Sequence, residues 1–325
     1  MIKLNLSLLL LIALAFAVSL LAGRVWLPPH DLLAPRNSLA GLILYDIRLP
    51  RTVLAVIVGA VLGLSGAVLQ GFTRNPLAEP ALLGVSTGAA LGAVIAIYFG
   101  LAVLSPVIGP LLGIIGAIGA CALTFALGQG SKNGGTVALV LAGAAVSSLT
   151  AAGIALALNF APSPYAAYEI MSWLLGSLAD KSWTQVFLVL PFVIAGGAAL
   201  AMTGRALDAL SLGEAQAASL GVHIARLSAM VVAGTALSVG AITSVTGAIG
   251  FIGLVAPHLV RPFVGYAPRR VLLPASLAGA LLLLCADIAA RLVHTNPELR
   301  LGVFTSLLGT PFFFWLVVRI RKVAP

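Results

Sequence analysis

Two arginines stand three residues apart in the segment "YDIRLPR", directly before the charge-free run "TVLAVIVGAVLGLSGAVLQGF". At this spacing Arg48 and Arg51 would share one face of a helix. Arginines at the start of an apolar helix can anchor it among lipid head groups, or they can bind an anionic partner through charge-assisted hydrogen bonds. The residues alone leave both interpretations open.

A single carboxylate lies within an apolar run near the C-terminus. Asp287 occurs in "LLCADIAAR", and Arg291 follows four residues later. This spacing predicts an ion pair on one helix face. Charges within a membrane span are candidates for function, although a pair that anchors the outer end of a helix is the structural alternative. The scarcity of other buried carboxylates or histidines argues against a proton-coupled carrier.

Catalytic and metal-binding patterns are missing from the sequence. The four histidines and two cysteines do not pair at metal-ligand spacing, so we expect no metal site. There is no G-x-x-x-x-G-K-[ST] loop, nucleophile elbow or H-E-x-x-H motif. We therefore expect no catalytic residue, no ATP hydrolysis by a P-loop of this chain and no enzymatic activity.

The polar segment 205–226, "RALDALSLGEAQAASLGVHIAR", is too polar to cross a membrane. Its centre favours a short helix, bounded by Gly213 and Gly221. An exposed helix between two spans has the shape of a docking surface, although the pattern also fits a solvated connector.

The elements that position these residues follow from the composition. Of 325 residues, 61% are hydrophobic and only 8% are charged, against about 25% charged in soluble domains. The mean hydropathy is +1.14. The chain is therefore an all-α, polytopic membrane protein. Its net charge of +9 lies in short loops between apolar runs, so we expect lipid and no nucleic acid as its surroundings.

Runs without charge predict ten transmembrane helices in one domain, residues 1–325. The runs are 4–23, 52–73, 81–131 (divided at Pro106 and Pro110), 136–158, 182–204, 227–260 (divided at "TGAIGFIG"), 271–290 and 304–320. An even number places both termini on one side. Eleven Lys and Arg residues fall on that side and seven on the other, which predicts cytoplasmic termini and a cytoplasmic loop at 204–226. Glycines spaced by four, as at Gly59 and Gly63, predict close helix packing within the bundle or at a dimer face.

Four segments together resemble the FecCD-type permeases. They are "DIRLPRTVLAVIVGAVLGLSGAVLQGFTRNPLAEPALLGVSTGAALGAV", "LSLGEAQAASLGV", "GAIGFIGLVAPHLVR" and "GVFTSLLGTPFFFWLV". These permeases are the membrane subunits of ABC importers for iron–siderophores, haem and cobalamin. The resemblance implies the type II importer fold and a homodimer in the bacterial inner membrane. It also implies two cytoplasmic ATPase subunits, which carry ATP and Mg, and a periplasmic substrate-binding protein.

The resemblance also implies roles for individual residues. Docking of the binding protein falls on three outer arginines, Arg48, Arg51 and Arg291. Coupling to the ATPase falls on the polar segment, at Leu212, Gly213, Glu214 and Gly221. The cytoplasmic gate falls on two helix ends, at Asn75, Leu77 and Thr136. Val137 stands where a polar gate residue can occur in the family.

Iron–siderophore leads as the expected substrate because most family members handle iron compounds, while haem and cobalamin stay open. The alternative is a self-powered secondary carrier of a bulky solute, which would depend on Asp287. An ion channel is disfavoured because no filter-like arrangement of charges or carbonyls is evident.

Overall fold

The computed structural model describes residues 1–23, 25–129, 136–293 and 298–323, and its regular elements in these ranges are helical. The α-helices are α1 (Ile2–Leu21), α2 (Leu39–Leu42), α3 (Leu49–Thr73), α4 (Val85–Tyr98), α5 (Leu101–Leu104), α6 (Ile108–Gln129), α7 (Thr136–Asn159), α8 (Pro164–Leu174), α9 (Trp183–Met202), α10 (Gly204–Leu210), α11 (Glu214–Ser219), α12 (Ile224–Thr246), α13 (Ile252–Val264), α14 (Pro268–Leu292) and α15 (Leu301–Val323). Two 3₁₀ turns and one π-helix complete them, at Pro29–Leu33, Pro80–Leu83 and Ile43–Arg48.

The spans of this multi-pass protein fall into two length classes. Among the described residues, 7 helical segments are long and apolar enough to cross a membrane: α1, Leu39–Thr73 (α2, the π-helix and α3), α6, α7, α9, α12 and α14. Three shorter apolar helices are α4, α13 and the first part of α15. The predicted divisions are confirmed, since α6 begins between Pro106 and Pro110 and a break separates α12 from α13. The count of ten spans and their sidedness stay predictions.

Glycine faces bring the backbones of the central helices into contact. A Cβ added to Gly59 of α3 would lie 2.3 Å from the carbonyl oxygen of Gly279 in α14, and one on Gly63 would lie 2.1 Å from that of Ala275. Such approaches let apolar helices pack closely where lipid provides no hydrophobic driving force. The predicted packing of Gly59 and Gly63 within the bundle is confirmed.

The same device joins α4 to α6. A Cβ on Gly92 would lie 2.0 Å from the carbonyl oxygen of Leu112, and one on Gly88 would lie 2.7 Å from that of Gly116. Gly109 also has the four-residue spacing, but no atom lies within 4 Å of a Cβ placed there. Spacing alone therefore identifies a glycine face without showing where the face ends.

Burial separates a central span from peripheral ones. In α12, 78% of the most apolar window is buried, against 17% in α1 and 22% in α9. Two buried serine hydroxyls in α12 bond within their own helix: Ser238 donates to the carbonyl of Gly234 and Ser244 to that of Ala241. These internal bonds satisfy polar groups that would be costly in an apolar surrounding.

Helix α3 connects two polar clusters at opposite ends of the bundle. Arg51 lies in its first turn and Arg74 follows its last residue. At 1.5 Å per residue these positions are about 35 Å apart, enough to cross the hydrocarbon core. We call the two regions the Arg51 end and the Glu214 end, because Arg74 lies beside Glu214.

Candidate functional site

Arg51 binds two carboxylates at its end of the bundle. Its Nε donates to Oδ1 of Asp287 at 3.0 Å, and its Nη2 donates to the same oxygen at 2.7 Å. The other side of the guanidinium pairs with Glu298. The side chains are 12% exposed for Arg51, 0% for Asp287 and 30% for Glu298. Arg51 thereby ties α3 to α14 and to the segment before α15.

Arg291 pairs with Asp287 from within α14, as the four-residue spacing predicts. Its Nη1 donates to the carbonyl of Ser19 at 3.0 Å, and its Nη2 donates to the Ser19 hydroxyl at 2.7 Å. Asp287 is thus shared by two arginines, and Glu298 brings the group to two positive and two negative charges. Buried charges persist only when they are paired and hydrogen-bonded in this way. The group is an internal clamp between α1, α3 and α14.

Arg48 contacts main-chain carbonyls. Its Nη1 donates to Leu20 and Leu21 at 2.9 and 2.6 Å, and its Nη2 donates to Val25 at 2.6 Å. The last carbonyls of a helix have no intrahelical partner, so Arg48 caps the C-terminal end of α1. The side chain is placed by the π-helix, which ends at Arg48, and by Pro50 in the first turn of α3.

All three predicted docking arginines lie at the Arg51 end, but their guanidinium groups point into the protein. Arg48 and Arg291 are 8% and 6% exposed. Their docking role stays a prediction. Sequence reasoning missed Glu298 and Ser19, which lie hundreds of residues from their arginine partners. The available signal was Asp287, because a carboxylate in an apolar run requires charged or hydrogen-bonding partners.

At the Glu214 end, one carboxylate connects three elements. Oε1 of Glu214 accepts a hydrogen bond from the backbone N–H of Thr136 at 3.1 Å and from its hydroxyl at 2.8 Å. Nη2 of Arg74 lies 3.9 Å from the same oxygen. A carboxylate at a helix N-terminus also interacts favourably with the helix dipole. Glu214 of α11 therefore caps α7 and lies close to the end of α3.

Local backbone geometry positions these groups. Gly213 has a φ of +112° and Gly221 one of +85°, values that glycine adopts readily and other residues rarely do. They bound α11, so the predicted short helix is confirmed. Asn75 follows Arg74, and its Oδ1 accepts the backbone N–H of Leu77 at 2.9 Å, which fixes the turn after α3.

The structure joins two residue sets that the sequence placed separately. Glu214 of the coupling set bonds directly to Thr136 of the gate set, and Asn75 is next to Arg74. Thr136 is 5% exposed, whereas Val137 is 72% exposed and Leu212 of the polar loop is 63% exposed. Sequence reasoning missed Arg74, since an arginine in a loop carries no signal of its partner. The arrangement links α11 to the first residue of α7 and to the end of α3.

Comparison with known proteins gives one family. The model of the FecCD transport family matches residues 9–319. Two relatives, from Klebsiella pneumoniae subsp. pneumoniae and Salmonella typhi, are each named "Vitamin B12 import system permease protein BtuC". The first is 40% identical over 319 residues, which are 98% of this chain and 93% of the relative. The second is 40% identical over 322 residues, or 98% and 95% of the two chains.

Solved structures agree with this similarity. The protein resembles a metal-chelate type ABC transporter in an inward-facing conformation, with a TM-score of 0.88 and 32% identity over 98% of this chain and all of the other. PsaBC from Streptococcus pneumoniae, solved in complex with Fab, matches with a TM-score of 0.53 and 18% identity over 82% of this chain and 88% of the other. The second similarity shows the fold alone.

Proposed function

Because the chain belongs to the FecCD transport family, we propose that it is the permease subunit of an ABC importer that moves a metal chelate across the bacterial inner membrane. Two copies form the pathway. Separate ATPase subunits on the cytoplasmic side hold ATP and Mg and supply the energy. A substrate-binding protein delivers the chelate from outside.

The contact between Glu214 and Thr136 is the observation that carries this proposal. ATP hydrolysis in another chain requires a mechanical connection to the gate, and the hydrogen bonds from Thr136 to Glu214 support a connection through α11. In the proposed cycle, the ATPase binds the loop around Leu212, Gly213, Glu214 and Gly221. Movement of α11 then displaces the N-terminal end of α7, because its first backbone N–H is bonded to Glu214. The gate at Asn75, Leu77 and Thr136 opens or closes with it.

The Arg51 end is the proposed docking region for the binding protein. Arg51 is bonded to Glu298, which is 30% exposed, while Asp287 is fully buried. An acidic residue of the partner can therefore reach Arg51 by replacing Glu298, leaving the pair with Asp287 intact. Arg48 and Arg291 hold α1 and α14 around this position. The net positive charge comes from Arg48, whose partners are uncharged carbonyl groups, and it favours an acidic partner during encounter.

For the substrate we rank cobalamin first, ferric siderophore second and haem third. The names of the relatives support cobalamin, which moves it ahead of the iron–siderophore expected from the family resemblance. The substrate-binding protein determines much of the specificity in such a system, so the permease pathway adds little selection of its own.

The test is uptake into liposomes that contain the permease, its ATPase and, outside, its binding protein. Labelled cobalamin, ferric siderophore and haem are compared with ATP, without ATP, and with an ATPase variant that binds but does not hydrolyse ATP. We expect uptake of one chelate that requires both hydrolysis and the binding protein. Uptake driven by an ion gradient without the ATPase would instead establish a secondary carrier, and that activity should then be lost in Asp287→Asn.

A further inference from the structure

A pocket of about 380 Å³ lies at the Glu214 end, where α9 ends at Met202 and α12 begins at Ile224. The two spans pack side by side, since a Cβ on Gly196 of α9 would lie 2.6 Å from the carbonyl oxygen of Gly234 in α12. The pocket is therefore level with the ends of two neighbouring spans. This is the depth at which lipid head groups meet water.

The lining of the pocket has a cationic part and an apolar part. The basic side chains are those of Arg205, His223 and Arg226. The apolar side chains include those of Met202 and Leu220, which are 75% and 64% exposed. A ligand that fits both parts carries negative charge and hydrocarbon in one molecule.

The two arginines in this pocket are free to bind such a ligand. Within the described part of the chain, neither Arg205 nor Arg226 forms a hydrogen bond or an ion pair. Asp208, one turn after Arg205, instead accepts the backbone N–H of Arg269 at 2.9 Å. Arg48, Arg51 and Arg291 at the Arg51 end, by contrast, are each bonded within the protein. Arg205 and Arg226 thus present positive charge without a carboxylate to neutralise it.

An apolar helix face leads from the pocket along the span. Only 22% of the most apolar window of α9 is buried. Phe187, Ile194 and Met202 are 63%, 62% and 75% exposed, and their spacing of seven and eight residues places them on one side of α9. This face ends at the pocket. A water-soluble partner could contact the arginines but would leave the face uncovered, whereas acyl chains would cover it.

We propose that this pocket binds an anionic phospholipid, with its phosphate between Arg205 and Arg226 and an acyl chain along α9. Basic pockets at the ends of neighbouring spans bind acidic head groups through the same combination of charge and apolar contact. The bound lipid would fix the end of α9 next to α10, which continues into the polar loop. This proposal does not depend on transport activity or on the identity of the substrate.

The experiment measures lipid binding to the full chain, purified in detergent, by native mass spectrometry during titration with phosphatidylglycerol or phosphatidylcholine. The double variant Arg205→Gln/Arg226→Gln is compared with Arg269→Gln/Arg270→Gln, which removes two exposed arginines near the same end of the bundle but outside the pocket. We expect the first double variant to bind phosphatidylglycerol about 10- to 30-fold more weakly, since each basic residue near the surface contributes roughly 1 kcal/mol. The control variant should change binding less than about threefold.

Two further arms distinguish lipid from other occupants. The charge-retaining variant Arg205→Lys/Arg226→Lys should keep binding within about threefold of the natural chain, because a point charge suffices for attraction to an acidic lipid. Inorganic phosphate at millimolar concentration should not displace the lipid. Equal weakening in the two glutamine variants, equal affinity for both lipids, or displacement by phosphate would each overturn the proposal. Displacement of the lipid by added ATPase subunits would also overturn it and would assign the pocket to a protein partner.

Discussion

Replacing Glu214 with alanine should reduce the number of substrate molecules imported per ATP hydrolysed. The variant loses two hydrogen bonds to Thr136 and the nearby charge of Arg74. Hydrogen bonds to a charged group contribute about 1.5–3 kcal/mol when buried. Glu214 is 33% exposed, so we reduce this to about 1 kcal/mol for each bond, or ~2 kcal/mol together. The pair with Arg74 adds little, because its side chain is 46% exposed.

The loss of about 2 kcal/mol corresponds to a roughly 30-fold weaker preference for the coupled arrangement of α11 and α7. The assay measures uptake and ATP hydrolysis in the same proteoliposomes. A double-mutant cycle with Thr136→Val isolates the contact, and we expect an interaction free energy of at least about 1 kcal/mol. Thr150→Val is the matched control on α7, since its hydroxyl bonds only to carbonyls of its own helix. Glu169→Gln removes a carboxylate on another helix and should leave the ratio unchanged.

Additive effects of Glu214→Ala and Thr136→Val would refute the reasoning, because they would show that the two residues act separately. An unchanged ratio of uptake to hydrolysis in Glu214→Ala would refute it as well. Glu214→Gln gives an intermediate test. Its amide oxygen can still accept both bonds, so we expect a smaller loss that reports on the charge alone.

Three other predictions concern packing and the clamp. Glu298→Gln should strengthen association of the binding protein several-fold at low salt, because it removes the negative charge that competes with the partner for Arg51. Unchanged or weaker binding in surface plasmon resonance would count against replacement of Glu298 by an acidic residue of the partner. Asp287→Asn should destabilise the detergent-solubilised protein by about 3–5 kcal/mol, the usual loss when a buried ion pair is broken, whereas Asp46→Asn, in an exposed pair, should cost less than about 1 kcal/mol. Thermal unfolding compares the two, and equal melting temperatures would contradict the clamp. Gly66→Ala should unfold the protein or lower its melting temperature markedly, since the new Cβ would lie 1.9 Å from the carbonyl oxygen of Gly253. The control Gly119→Ala should be tolerated, because its Cβ meets no atom within 4 Å. Similar expression and stability of the two variants would contradict this prediction.

The positions of the spans could be predicted from the sequence because a bilayer requires long runs without charge. The same holds for α11, whose ends are marked by Gly213 and Gly221, and for the glycine face of α3. These features depend on residues close together in the chain. The Asp287–Arg291 pair belongs with them, since four residues separate its members.

The partners of the predicted site residues could not be derived in this way. Arg51 meets Glu298 from 247 positions away, and Glu214 meets Thr136 from 78 positions away. Such pairs depend on which helices become neighbours, and no local pattern encodes this. The partners of Arg48 are even harder to predict from sequence, because they are main-chain carbonyl groups, which every residue possesses. The sequence thus identified candidate residues, while the packing of α1, α3 and α14 determines what they contact.

The capping of α1 has a consequence for biogenesis. Helix α1 emerges from the ribosome before α14, yet one of the donors that close its C-terminal end, Arg291 of α14, is 272 residues away from Ser19. At about 5–20 residues per second, synthesis of that interval takes roughly 14–54 s. During this time α1 can contact α3, through Arg48 and through the hydroxyl pair of Ser19 and Thr52, but it has no contact yet with α14. The C-terminal turn of α1 therefore completes its packing only after α14 is made, and a chain that stops short of α14 lacks the two hydrogen bonds from Arg291 to Ser19 that hold this turn.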